Sequence, residues 1–288
     1  MRSNADPWPQ ELSEPGESRF AFGSGSGWRP GLGRAILPGV VATAQPLEKD
    51  EYGDVEAVLF DVGGVLMTPN PDALRELVRS YGRVPDDAAC INALHQATLE
   101  MDLQSLPVER MDWFAVNASV ARALNIADPD EQLVQGIAEV FREAPYVPVP
   151  AAGSVMRELS RRGYRLGVVS NAHGSIEAQL AAARICSTTG VGAALVEIVV
   201  DSTLVGVHKP NPAIFDVALR AMGVPAFKTA YVGDSLFFDV HAAQTAGMHA
   251  VHVDWLRACL TPGHPDVHAL ETVLELFVGP RHQPNTAT

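Results

Sequence analysis

Val58-Leu59-Phe60-Asp61-Val62-Gly63-Gly64-Val65-Leu66 (VLFDVGGVL) is an apolar run of strand length that ends in a carboxylate and then breaks into glycines. A short continuous apolar run suits a strand covered on both faces, as in a parallel sheet. In an open α/β sheet, ligands sit beyond the carboxyl ends of the strands. Asp61 therefore stands where a chemically active acid belongs.

Further runs of the same kind appear at Leu166–Val169, Val196–Val200, Ala230–Val232 and Ala250–Val253. Helical patterns lie between them, at Ala151–Arg162, Ser175–Arg184, Pro212–Met222 and Phe238–Ala246. Asn211-Pro212 offers a capping side chain followed by proline at the first helical position, and Gly223 is a matching stop. This alternation predicts an α/β fold, a Rossmann-like, doubly wound, mostly parallel sheet. One interval departs from it. From Pro71 to Pro150 no buried strand is expected, and helical stretches follow one another at Asp72–Tyr81, Asp86–Met101, Val108–Leu124 and Asp130–Arg142. Four consecutive helices are too many for one crossover, so the block reads as an inserted α-helical cap domain. The expected division is residues 56–70 and 149–278 as the core and 71–148 as the cap. Residues 1–55, rich in Pro, Gly, Ser and Glu, and the tail 279–288 are expected to be disordered or loosely packed.

The 288 residues carry a formal net charge of −13, with 47% hydrophobic and 19% charged residues. Such a chain buries a sizeable core, and its acidity argues against nucleic acid or anionic membranes as partners. No apolar run approaches the ~20 residues that span a bilayer, and the first residues lack the basic-then-apolar order of a secretory signal. A cytoplasmic location is expected. Cys90, Cys186 and Cys259 are scattered, with no C-x-x-C spacing. That pattern suits small buried side chains in a reducing compartment better than disulfides or a zinc site. The sequence carries no signal for oligomeric state.

Four places at predicted strand or loop ends hold chemically capable groups. They are Asp61; Ser170-Asn171 after Leu166–Val169; His208-Lys209-Pro210; and Gly233-Asp234-Ser235 with Asp239 beyond. A carboxylate can act as a nucleophile that divides one hard step into two. Lys209 can neutralise phosphate charge, while Asp61 and Asp234 supply the hard oxygens that Mg²⁺ prefers. Ser170 and the free N–H groups of the next helix start can hold phosphoryl oxygens. Each piece alone is an ordinary cap, turn or surface charge; their order and context make the signal.

FDVGGVL, VVSN, VGVHKPNPAIF and YVGDSLFFDVHAAQTAGM resemble the four motifs of the haloacid dehalogenase superfamily of hydrolases, over about Val55 to Val253. The helical insertion falls where that family has its small helical cap. The resemblance implies a nucleophilic Asp61 that also ligates Mg²⁺, a second ligand in the Gly63 carbonyl, and Asp234 completing the site. Asp239 would be a ligand or would steady Lys209. Ser170, assisted by Asn171, and Lys209 would bind the phosphoryl group of a small phosphorylated metabolite.

The family's phosphatases usually carry a second Asp two residues after the nucleophile, as general acid and base. Here that position is Gly63. Three outcomes follow: a phosphatase that needs little leaving-group protonation or takes its proton elsewhere, with His173 and His208 nearest in sequence; a metal-independent 2-haloacid dehalogenase; or a binding or regulatory protein on an enzyme's fold. Retention of Asp234 favours the metal and hence the phosphatase. Of the cap residues Met101, Trp113, Phe114 and Asn117, the two aromatics are expected to pack inside the cap.

Overall fold

The computed structural model describes residues 52–261 and 263–278. The predicted segments 1–51 and 279–288 lie outside them. Tyr52 and Val55 are buried in the core, so packing begins before the expected start at Glu56.

In chain order the strands are β1 (Ala57–Phe60), β2 (Met67–Pro69), β3 (Tyr146–Pro148), β4 (Arg165–Ser170), β5 (Cys186–Ser187), β6 (Ala194–Leu195), β7 (Ile198–Asp201), β8 (Thr229–Gly233), β9 (His249–Val253) and β10 (Asp266–Val267). The helices are α1 (Pro71–Arg79), α2 (Asp87–Gln104), α3 (Trp113–Ala123), α4 (Glu131–Glu143), α5 (Ala152–Arg161), α6 (Ile176–Ala182), α7 (Ser202–Val205), α8 (Ala213–Met222), α9 (His241–Thr245) and α10 (Val273–Leu276).

Six strands form one parallel sheet in the order β10-β9-β8-β1-β4-β7. From β1 the chain moves outward through β4 to β7, then crosses to β8 on the other side of β1 and moves outward again through β9 to β10, so the reversal of strand order lies beside β1. Strand residues alternate between two apolar layers. Val58, Phe60, Val168, Val232 and Val251 pack with α5 and α10. Ala57, Leu59, Val169, Tyr231 and Ala250 pack with α8 and α9. Period-two alternation with both sets apolar is why these strands read as continuous hydrophobic runs.

The helical block has an apolar cluster of its own, including Leu74, Leu94, Val120, Leu133 and Ile137. Three of its helices, α2, α3 and α4, start at carboxylate caps: Asp86 accepts from the Ala89 N–H, Asp112 from Ala115 and Asp130 from Leu133. Three details depart from expectation. A short antiparallel ribbon of β2 and β3 joins block to core; β3 is a strand in the interval expected to have no buried one, and it is only partly buried. Phe238–Ala246 opens with a π-helical turn, Leu236–Val240, before α9. The edge strand β10 has no counterpart in the sequence pattern because only two residues pair.

Candidate active site

Register brings the predicted residues to one rim. β1 lies between β4 and β8, with Phe60 opposite both Val168 and Val232. Asp61, Ser170 and Asp234 therefore leave the sheet along the same edge. Lys209 arrives from the loop before α8, and Asp239 from the π-helical turn. One oxygen each from Asp61, Asp234 and Asp239 lies within 4.8 Å of the others.

Lys209 is the counter-charge. Its side chain is 3% exposed, and Nζ donates to Asp239 Oδ1 at 2.6 Å and to the Tyr231 hydroxyl oxygen at 3.0 Å. Tyr231 sends its own proton to the Val169 carbonyl at 2.7 Å. Nζ also stands 2.8 Å from Asp61 Oδ1. That buried oxygen is thereby paired with the ammonium that also serves Asp239. Burial disfavours the ammonium, but Asp239 and Asp61 outweigh it and hold the Lys209 pKa above its ordinary value. Burial likewise pushes the Asp61 carboxyl up; Lys209 opposes this and Asp239 adds to it. Lys209→Met should therefore strand two buried carboxylates and cost about 3–5 kcal/mol in chemical denaturation. A loss below about 1 kcal/mol, the scale of a solvated pair, would refute this account of the ion cluster.

Two glycines allow the acids to approach so closely. A Cβ on Gly64, whose φ is +71°, would stand 2.0 Å from Asp234 Oδ2, and one on Gly233 would stand 2.3 Å from Asp239 Cβ. Gly63 is different: a Cβ there would meet nothing within 4 Å.

Ser170 is buried at the end of β4. Asn171 spends its amide on Lys209, its oxygen accepting from the Lys209 N–H at 2.8 Å and its nitrogen donating to the Lys209 carbonyl at 3.0 Å. In this structure its evident task is to hold the lysine loop. Asp201 Oδ2 accepts from the Gly174 N–H at 2.7 Å and shapes the turn after Ser170. His173 is exposed and His208 half-buried.

The imidazole brought to the carboxylates is neither of those but His95 of α2, whose Nδ1 lies 3.8 Å from Asp234 Oδ2. Its ring stacks on Trp255 at 5.2 Å, and Trp255 Nε1 donates to the Gly64 carbonyl at 2.7 Å. Thr98 Oγ1 donates to Asp234 Oδ2 at 3.3 Å. Asp102 accepts from Ser235 Oγ at 2.6 Å and from the Leu236 and Phe237 N–H groups at 2.8 and 3.0 Å. His95, Thr98 and Asp102 are spaced i, i+3, i+7, a polar stripe on one face of α2, while Cys90, Ala93, Leu94 and Ala97 turn into the helical cluster. That stripe was the available sequence signal. From the core side, Phe238 inserts into the same cluster.

Burial pushes the Asp102 pKa up to about 6 from the usual 3.8, more than the Ser235, Phe237 and Leu236 donors lower it. The folded chain thus holds this proton more tightly than the unfolded one. The contribution to stability is fully present below about pH 4 and is lost as pH rises through about 6. Asp102→Asn should flatten that stretch of the stability–pH profile; an unchanged slope would show that burial does not govern this carboxyl.

Between α2 and the loop after β9 lies a cavity of about 40 Å³, bordered by His95, Thr98, Asp102, Asp234, Trp255 and Cys259. That volume admits a few waters and no metabolite. Trp113 and Phe114 do not pack inside the block as expected. They are 43% and 50% exposed and border an open groove with α4, since the small residues Ala118 and Ala121 already fill the inner face of α3. Among the described residues no helix is long and apolar enough to cross a membrane.

Known proteins resemble this chain in sequence and in fold. Glyceraldehyde 3-phosphate phosphatase of Methanopyrus kandleri is 28% identical over 202 residues, 69% of this chain and 84% of that protein. Phosphoserine phosphatase of Thermus thermophilus is 34% identical over 149 residues, 50% of this chain and 55% of that protein. A crystal structure of a dehalogenase with an intermediate complex superposes with a TM-score of 0.51 at 18% identity, covering 77% of this chain and 97% of that one, a likeness of fold. Residues 55–247 match the haloacid dehalogenase-like hydrolases, and the chain, with its four motif segments gathered on one sheet rim, belongs to that family of enzymes.

Proposed function

We propose that the protein is a Mg²⁺-dependent phosphatase acting on a small phosphorylated metabolite through an aspartyl-phosphate on Asp61. The carrying observation is the trio of Asp61, Asp234 and Asp239 oxygens within 4.8 Å of one another, with the single buried ammonium of Lys209 beside Asp61 and Asp239. One lysine does not neutralise three carboxylates, and an all-oxygen donor set of this kind fits Mg²⁺. Asp61, Asp234 and the Gly63 carbonyl would hold the ion, with Asp239 beside them. When bound, the ion supplies charge stabilisation on the phosphoryl oxygens. The names of the two phosphatase relatives support the substrate class.

The chain's own residues then divide the work. An Asp61 oxygen attacks phosphorus, forming a P–O bond to the carboxylate while the bond to the substrate oxygen breaks. With Gly63 in place of an acid, the departing alkoxide takes its proton from water. A second water cleaves the acyl phosphate, releasing inorganic phosphate and restoring the carboxylate. Lys209 meets the charge on the phosphoryl oxygens, Ser170 Oγ donates to one of them, and Asn171 keeps the lysine loop in place. The helical block acts as a cap. Joined to the core through the β2–β3 ribbon, it closes over the rim and excludes water.

The test is phosphate release from p-nitrophenyl phosphate, expected with Mg²⁺ and abolished by EDTA. Metal-independent chloride release from 2-chloropropionate would replace this reading with the dehalogenase. Gly63 favours one other reading, a binding protein. Absence of both activities, with inorganic phosphate still raising the melting temperature, would establish it.

A further inference from the structure

The strand β9 and the chain after it carry four ligand-type side chains that the phosphatase reading does not use: His252, Cys259, His264 and Asp266. They follow the pattern H-x₆-C-x₄-H-x-D. One donor atom from each lies within 4.8 Å of every other. His252 Nδ1 is 2.8 Å from Asp266 Oδ1, His264 Nε2 is 3.3 Å from the same oxygen, and Cys259 Sγ is 3.5 Å from His264 Nε2. Ligand lengths of about 2.0–2.3 Å around a tetrahedral zinc give donor–donor edges of roughly 3.3–3.6 Å. Two of the three distances match without any movement.

The ring of His252 gives the second observation. Its Nε2 faces the Asp234 backbone carbonyl at 3.3 Å. A carbonyl only accepts, so Nε2 carries the hydrogen, and Nδ1 points into the cluster of donors, 2.8 Å from Asp266 Oδ1. A histidine whose outer N–H is fixed on a backbone carbonyl while its inner nitrogen points at a cluster of donors has the outer arrangement of a metal ligand. The cysteine is held in place too: Asp254 accepts from the Ala258 and Cys259 N–H groups at 3.0 and 2.9 Å. The His252 and His264 side chains are 6% and 1% exposed, and Cys259 is half-buried.

We propose that His252, Cys259, His264 and Asp266 form a structural zinc site that clips the loop between β9 and β10 to the sheet. Two imidazoles, a thiolate and one carboxylate suit zinc and not Mg²⁺, and four protein ligands close the coordination sphere. The thiol releases its proton when the metal binds, so binding tightens as pH rises. The clip bears on the catalytic rim at two points. His252 holds the Asp234 peptide from behind, and the clipped loop carries Trp255, which lies on His95 and the Gly64 carbonyl. The scattered cysteines of the sequence hid this site because a single thiol shares it with two imidazoles.

The full-length protein, stripped with chelator, is titrated with Co²⁺ and separately with Zn²⁺. The expected result is one equivalent of Co²⁺ giving the intense visible bands of a tetrahedral ion and a near-ultraviolet thiolate charge-transfer band, both displaced by Zn²⁺. Cys259→Ala should abolish the charge-transfer band and weaken zinc more than about a hundredfold, beyond the 10–100-fold typical of an outer partner. Zn²⁺ should raise the melting temperature of the wild type and not that of Cys259→Ala. Asp61→Asn should keep the full cobalt spectrum, because the three-carboxylate site has no thiolate; this separates failure here from failure of the phosphatase reading. A wild-type protein showing only the weak absorption of octahedral Co²⁺, or a charge-transfer band that survives in Cys259→Ala, overturns the site and leaves a hydrogen-bonded cluster.

Discussion

Gly63→Asp is expected to raise turnover of alkyl phosphates by on the order of 10²–10⁴-fold, the usual contribution of a positioned general acid–base. The gain should be much smaller with p-nitrophenyl phosphate, whose leaving group departs without a proton. Geometry permits the substitution. A Cβ at Gly63 meets nothing within 4 Å, and φ there lies outside the left-handed region, whereas the neighbouring Gly64 has φ +71° and would drive a side chain into Asp234. The backbone carbonyl proposed as a metal ligand is retained. A steady-state leaving-group series on both proteins is the measurement. If the variant gains nothing on alkyl esters while the wild type already turns them over well, the proton comes from another residue, and His95 is the imidazole next to Asp234.

The largest loss is expected for Asp61→Asn, roughly 10⁴–10⁶-fold in kcat, the scale seen when a nucleophile is removed from a preorganised site. The fold should not share that loss. Burial and the Asp239 charge both raise the Asp61 pKa, so its negative charge is a strain on the native state that Lys209 only partly relieves. An amide of the same shape leaves Lys209 paired with Asp239 at 2.6 Å. Equal or higher stability in urea, alongside lost phosphate release, is the expected pair of results. Substantial residual turnover would remove Asp61 from the chemistry; a collapse in stability would assign it a structural role instead.

Much of this site was legible because the sheet is parallel and central. Asp61, Ser170 and Asp234 stand at or just beyond the ends of buried strands, and a strand covered on both faces announces its end by its first polar residue, whereas Lys209 and Asp239 lie in a loop and a helical turn further along the chain. The helical block was legible as helices for a similar local reason, while the carboxylate caps of α2, α3 and α4 were seen only in the structure. Its contacts were not. α2 meets apolar neighbours on one side and the carboxylate-bearing rim of the sheet on the other, so its sequence shows which residues are polar but not which partner a stripe faces. Asp102, His95 and Thr98 acquire their places only when α2 docks on the π-helical turn. The family resemblance implies that Asn171 assists Ser170, and only the approach of the lysine loop showed that its amide also binds the Lys209 backbone.

From the linear chain alone come the class of fold, the order of its elements and the acids at the strand ends, since these depend on period, run length and neighbouring residues. Tertiary packing decided what lies across from those acids: the cap stripe, Trp255 over Gly64, the 40 Å³ cavity and the gathering of His252, Cys259, His264 and Asp266. The physical reason is range. Backbone periodicity is a local property that each segment carries with it, whereas a contact between residues far apart in the chain exists only once both segments have been placed on the same sheet.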